Sequence, residues 1–204
     1  MLLLTLMLGV ALTIAAPWAL ASPAPGAPAP VFTAPDISGH EVDLAVLLED
    51  RADPLILFFF TVDSGRGLAA KLREVDRTAA RRFAIVAVGV EEDRAALARF
   101  AEELDIYYYV IGDGEAARVN ALYGPFQVLP MTFLISSDRT ILRVIHGGGE
   151  AHANAVVQLA EVLFQQARGR GTDLTEARML AEKALELDED PDEARELVGY
   201  VHIA

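Results

Sequence analysis

Apolar residues along this chain fall into blocks whose spacing alternates between two periods. Leu55 to Phe60 is an unbroken run of hydrophobes behind Pro54, the pattern of a strand buried on both faces of a sheet. A small polar turn follows, Asp63-Ser64-Gly65-Arg66-Gly67, and from Gly67 to about Arg81 the residues Leu68, Leu72 and Val75 recur on one helical face. Phe83 to Val90 is a second apolar run, which predicts another buried strand and completes a βαβ unit. Glu91-Glu92-Asp93 then places acids where the dipole of a helix start favours them, ahead of Leu97, Phe100, Ala101 and Leu104 at helical spacing. Ile106 to Ile111 predicts a short strand closed by Gly112 and Gly114, and Ala116 to Leu122 a short helix. Val128 to Ile135 reads as a strand, Ser136 to Arg139 as a hairpin turn and Thr140 to Ile145 as an edge strand. Ala151 to Arg168 reads as a closing helix with Val156, Leu159, Leu163 and Phe164 inward. The predicted class is α/β, a central mixed sheet flanked by helices.

The flanks read differently. Leu2 to Ala16 is apolar and Ala19-Leu20-Ala21 supplies a small-x-small cleavage pattern, so residues 1–21 are expected to be a signal peptide or a retained anchor. No Lys or Arg precedes Arg51, which leaves the terminal amine as the only positive charge of that segment. Residues 22–31 form a Pro/Ala linker, expected to be extended, weakly ordered and without a core to join. Residues 32–168 carry the globular pattern. Gly169-Arg170-Gly171 breaks it, and residues 172–204 hold ten acids against three bases, with Ala177, Ala181, Ala184, Leu185 and Leu187 on one helical face and Ala194, Leu197, Val198 and Val201 beyond a turn. That pattern predicts a helical hairpin.

Composition narrows the chemistry. The 204 residues include no cysteine, so no thiol or disulfide can form within the chain. A net charge of −13 with no basic cluster argues against nucleic acid as a partner. No cofactor motif is found, and His146 and His152, either side of a Gly-rich turn, match no metal-ligand spacing. Tyr107-Tyr108-Tyr109 fits strand core and rim, and Asp188 to Asp192 a solvated turn lacking calcium-loop spacing. Ser64 has no histidine near it in sequence to act as base, and its position predicts a helix N-cap. Arg66, at the same helix start, reads as a solvated cation or a holder of an anionic partner.

The corner after Phe60 resembles the thioredoxin superfamily, and within it the TlpA-like and peroxiredoxin-like periplasmic thiol-disulfide oxidoreductases. Where that branch has Cys-x-x-Cys at the helix start, this chain has Ser64-Gly65-Arg66-Gly67. The segment Ala34-Pro35-Asp36-Ile37-Ser38-Gly39, with Val42 and Leu44 beyond it, resembles the hairpin that opens those domains. Leu129-Pro130-Met131-Thr132-Phe133-Leu134-Ile135 resembles the segment whose cis proline faces the redox corner. The hairpin of residues 172–204 resembles parts of two tetratricopeptide repeats, with Glu189 where a proline is usual. Repeat units need neighbours to bury their faces, so the resemblance implies packing on the Ala151–Arg168 helix or on a second chain.

Together these resemblances imply an exported, periplasmic protein with a thioredoxin-like domain and a degenerate active site at Ser64 and Gly67. The function expected is a non-catalytic module that binds an envelope protein or peptide along Ser64, Gly65, Arg66, Gly67, Leu129, Pro130 and Met131. The alternative is an oxidoreductase or antioxidant enzyme of this superfamily that borrows an external thiol such as glutathione.

Overall fold

The computed structural model describes residues 22–50, 54–78, 84–124, 126, 128–147 and 149–167. Residues 1–21, read as a signal peptide or anchor, and residues 172–204, read as a helical hairpin, lie outside the described residues.

The chain opens with a hairpin, β1 (Thr33–Pro35) against β2 (Glu41–Asp43), whose turn contains Gly39 at φ +89°. Helix α1 (Leu44–Asp50) follows directly, its first N–H groups, those of Ala45 and Val46, donating to the Asp43 carboxylate at 2.9 and 3.2 Å. Strand β3 (Leu55–Phe60), helix α2 (Val62–Thr78), strand β4 (Ile85–Gly89), helix α3 (Arg94–Glu103) and strand β5 (Tyr109–Ile111) form successive parallel crossovers. Helix α4 (Asp113–Tyr123), strands β6 (Met131–Ile135) and β7 (Ile141–His146) and helix α5 (Glu150–Ala167) complete the order. The main sheet is β5-β4-β3-β6-β7, with β6 and β7 antiparallel to their neighbours.

Every residue of β3 is buried, because the strand lies at the middle of the sheet and has a core on either side. Ile56, Phe58 and Phe60 pack with Leu68 and Leu72 of α2, Leu97 and Phe100 of α3, and Val156 and Leu159 of α5. Leu55, Leu57 and Phe59 face the other way, against Phe32, Leu44 and Leu48 and the α4 residues Val119 and Tyr123. Period-two alternation thus feeds two cores from one strand.

The structure departs from the sequence reading in four places. Helix α2 begins at Val62, so the predicted turn Asp63–Gly67 is its first turn and a half. Helix α1 was not expected. Strands β4 and β5 are shorter than the apolar runs that suggested them, and of the three tyrosines only Tyr109 is in a strand: Tyr107 is exposed and Tyr108 buried. The linker is docked. Gly26 N–H donates to the Ile141 carbonyl (2.8 Å), Ile141 N–H to Ala27 (3.0 Å) and Ala29 N–H to Arg139 (2.7 Å), so the segment pairs with Arg139 to Ile141, the end of the β6–β7 turn and the first residue of β7. Ala29 and Phe32 are each only 5% exposed, and the Tyr123 hydroxyl donates to the Pro30 carbonyl at 2.8 Å. An unpaired sheet edge is a ready template for backbone bonds, and here the chain's own leading segment uses its first residue, Ile141.

Candidate functional site

The corner after β3 is built by a reciprocal cap. Thr61, the residue before α2, donates its N–H to Ser64 Oγ at 3.0 Å and its hydroxyl to the same oxygen at 2.9 Å. Ser64 N–H returns a bond to Thr61 Oγ1 at 3.3 Å. Ser64 is therefore the inner member of a capping box and not the N-cap itself, because the helix starts two residues before it. Its hydroxyl is engaged with Thr61, and no histidine or carboxylate bonds to it; the arrangement holds no activated nucleophile.

Two further contacts close the corner. Glu92, between β4 and α3, accepts the N–H of Val62, the first residue of α2, at 2.8 Å. The sequence assigned all three acids of Glu91-Glu92-Asp93 to the start of α3, yet only Asp93 caps that helix, accepting Ala96 N–H at 2.6 Å. Glu92 reaches back to a residue thirty positions earlier, a contact no local spacing announces. Arg66 turns toward α3, its Nη2 3.0 Å from Glu103 and its guanidinium 5.6 Å from the centroid of the Phe100 ring. Gly65 is buried beneath the corner, and a Cβ there would lie 2.4 Å from Cδ2 of Phe60. Gly67 is exposed.

The opposite wall comes from the lead into β6. The Leu129–Pro130 peptide bond is cis, and the Pro130 carbonyl accepts Gly147 N–H at 3.0 Å. The β3–β6 register pairs Phe59 with Met131, so Pro130, one residue earlier, runs alongside Phe60 and next to the start of α2. On the other side of β3, Phe60 is paired with Gly89 and its carbonyl accepts Val90 N–H at 2.8 Å. The first turn of α2 thus sits between Leu129-Pro130 and Val90-Glu91-Glu92. Val128 is 53% exposed and Leu129 half-buried, whereas Met131 is 4% exposed and packs in the core with Phe59 and Phe133. Of the residues read from sequence as a binding strip, Ser64, Gly65 and Gly67 lie in the first turns of α2 after β3, and Leu129 and Pro130 lead into the neighbouring strand β6. Met131 contributes its side chain to the core, and Arg66 is held on α3.

Elsewhere a cavity of about 650 Å³ opens between the hairpin turn and the lead into β5, lined by Asp36, His40, Asp76, Tyr107 and Tyr108 among others. It does not reach the corner. Tyr107 donates to Asp105, which is held below its ordinary pKa first by that bond and then by Arg73. Tyr108 is pushed well above the ordinary tyrosine value by burial, as is Tyr123. Among the described residues no group of three or more histidine, aspartate or glutamate side chains gathers as a metal site.

A mixed sheet of this order, with a helix after its central strand and a cis proline leading into the neighbouring strand, defines a thioredoxin-fold protein, here one without cysteine. Solved structures agree on the fold. A peroxidoxin, BcpB, from Mycobacterium tuberculosis matches at 26% identity over 65% of this chain and 92% of its own, with a TM-score of 0.50. A thiol:disulfide interchange protein of the thioredoxin family from Chlorobium tepidum matches at 24% identity over 69% and 97%, TM-score 0.53. The thioredoxin domain of a thiol-disulfide oxidoreductase from Bacteroides vulgatus matches at 19% identity over 68% and 99%, TM-score 0.54. Among curated protein sequences none matches the chain. The AhpC/TSA family profile covers residues 25–144, and the chain belongs to that family. With no cysteine in its 204 residues, it is a redox-dead variant of the fold rather than an active thiol-disulfide oxidoreductase working through its own thiols.

Proposed function

We propose that this protein is a binding module of the cell envelope that holds an extended segment of a protein or peptide partner across the corner between Ser64–Gly67 and Val128–Pro130. The observation that carries the reading is the pairing of a closed, thiol-free helix cap with an exposed apolar strand lead. The helix start carries a Thr61–Ser64 cap, while Val128, in the lead into the neighbouring strand β6, stays open to solvent. An extended ligand recognised through backbone bonds and an apolar side chain needs no reactive group. The export pattern of residues 1–21 supports an envelope location, either free in the periplasm or anchored to face it. The acidic hairpin of residues 172–204 would supply a second contact surface. The mass of the protein isolated from cells distinguishes the cleaved from the anchored form.

The test of binding is a panel of short extended peptides titrated against the isotopically labelled protein. Amide shifts should centre on residues 61–67 and 128–130, and Val128→Asp should weaken binding by about ten-fold through loss of apolar contact and desolvation of the new charge. Shifts confined to other faces of the domain, or a Val128→Asp protein that binds as well as the parent, would overturn the reading. An insulin-reduction assay with and without glutathione tests the rival, an enzyme working with a borrowed thiol; turnover above the uncatalysed rate would favour it.

A further inference from the structure

We infer that the cavity beside β5 binds a small organic cation, a protonated amine carried on an apolar body. The hollow, of about 650 Å³, is of a size that encloses such a ligand. Ile37 N–H donates to the Val110 carbonyl at 2.7 Å and so ties the hairpin turn to the β5 edge of the sheet. The last turns of α2 and α3 supply Asp76 and Ala101 to the other walls.

The lining combines apolar surface, aromatic rings and carboxylates. Ile85 and Val110 are buried, whereas the Tyr107 ring is 64% exposed. The hydroxyls of Tyr107 and Tyr108 are donated to Asp105 and to the Ala69 carbonyl, so what these two residues offer a ligand is their rings, whose faces attract cations. Asp36, Glu41 and Asp76 bring negative charge to the same cavity, and among the described residues no lysine or arginine lines it. The nearby bases Arg73 and Arg77 act on Asp105 and Tyr107, and Arg73 is paired with Asp105 at 3.1 Å.

Asp36 carries the argument furthest. Its side chain is only 8% exposed, and its Oδ1 accepts the N–H groups of Ser38 and His40 at 2.8 and 2.9 Å. Among the described residues its Oδ2 meets only the imidazole of the exposed His40, at 3.5 Å. A carboxylate taken out of water with one oxygen so thinly paired is costly until a donor or cation completes it. Glu41 and Asp76 form no ion pair with any described residue. An ammonium ion completes these charges while its apolar body covers Ile85 and Val110; an anion would meet three like charges instead.

The experiment titrates tryptamine, tryptophol and indole-3-propionate, one indole body bearing a cation, a neutral hydroxyl or an anion, into the isotopically labelled full chain. Tryptamine should shift the amides of residues 36–41, 84–85 and 106–110 and bind about ten-fold more tightly than tryptophol, with indole-3-propionate weaker still, and the spread should narrow as salt rises. Asp36→Asn keeps an oxygen to accept the two turn N–H groups while removing the charge, and Asp76→Asn removes a charge from α2. Each should cut the preference for tryptamine about three-fold and leave tryptophol binding unchanged. Equal binding of the three compounds, or a preference that neither substitution moves, overturns the inference. So does the absence of shifts at these amides with all three. Neither result touches the reading of the corner, because Ser64–Gly67 and Val128–Pro130 do not line this cavity.

Discussion

Gly65 shows how little space the corner leaves. A methyl group added there would meet the Phe60 ring at 2.4 to 2.7 Å, and Phe60 is itself pinned between Phe58 and Phe100, with ring centroids 5.2 Å away on each side. Gly65→Ala must push α2 off the sheet or turn a fully buried ring, and it should cost about 1–3 kcal/mol in urea unfolding; a substitution that leaves the midpoint unchanged would mean that Phe60 has room to move. Two other single residues set the alkaline limit of the fold. Tyr108 and Tyr123 are both raised above the usual tyrosine pKa of about 10 by burial. Below pH 10 they are neutral in folded and unfolded chains alike, so they add no pH dependence. Above it the unfolded chain loses protons that the folded chain keeps, and stability should fall as pH rises. Urea midpoints should be flat from pH 7 to about 9 and decline beyond, with Tyr123→Phe and Tyr108→Phe each reducing the decline; a slope unchanged in both variants would place its source elsewhere.

At the scale of elements, long periodic segments were legible and short ones were not. Strand β3 announced itself because six hydrophobes behind a proline have few alternatives, and α2, α3 and α5 each display a full apolar face to a core. Helix α1 has only seven residues, too few for a period to repeat, and its one local signal is Asp43 acting as its cap. The linker failed for another reason. Its Pro/Ala composition has no period, and what holds it is the start of β7 and the Tyr123 hydroxyl, features of the assembled fold that exist nowhere in the linker's own residues. The candidate corner divides in the same way: the cis Pro130 follows a local pattern, while the Glu92 contact required two distant segments to meet. Deleting residues 22–30 tests the linker's role. It removes backbone bonds to Arg139 and Ile141, the Tyr123–Pro30 bond and the burial of Ala29, which should lower stability by about 2–4 kcal/mol. A deletion variant as stable as the full chain would show that the docked segment contributes nothing.

For the molecule as a whole, the absence of thiol chemistry was the most legible property of all, because a missing element can be counted and needs no geometry. Family membership does not reverse it: a shared fold supplies a scaffold, and the reaction belongs to the groups placed on it. The scaffold is intact enough for the converse experiment. Gly67 is exposed and Ser64 is half-buried, so Ser64→Cys with Gly67→Cys should fold and should acquire measurable insulin reduction. The activity should be weak, and the reason lies in Glu92. A helix N-terminus lowers a thiol's pKa by favouring the thiolate, but the Glu92 carboxylate already lies 2.8 Å from the first N–H of α2 and opposes a second negative charge beside it. Adding Glu92→Gln to the double-cysteine chain should therefore lower the thiol pKa and raise its alkylation rate at neutral pH by about three- to ten-fold. If the triple variant alkylates no faster than the double one, the carboxylate is not setting the charge of the corner. If it does alkylate faster, the same result measures how strongly this protein's own acid has replaced the anion that a thiol-bearing relative would hold there.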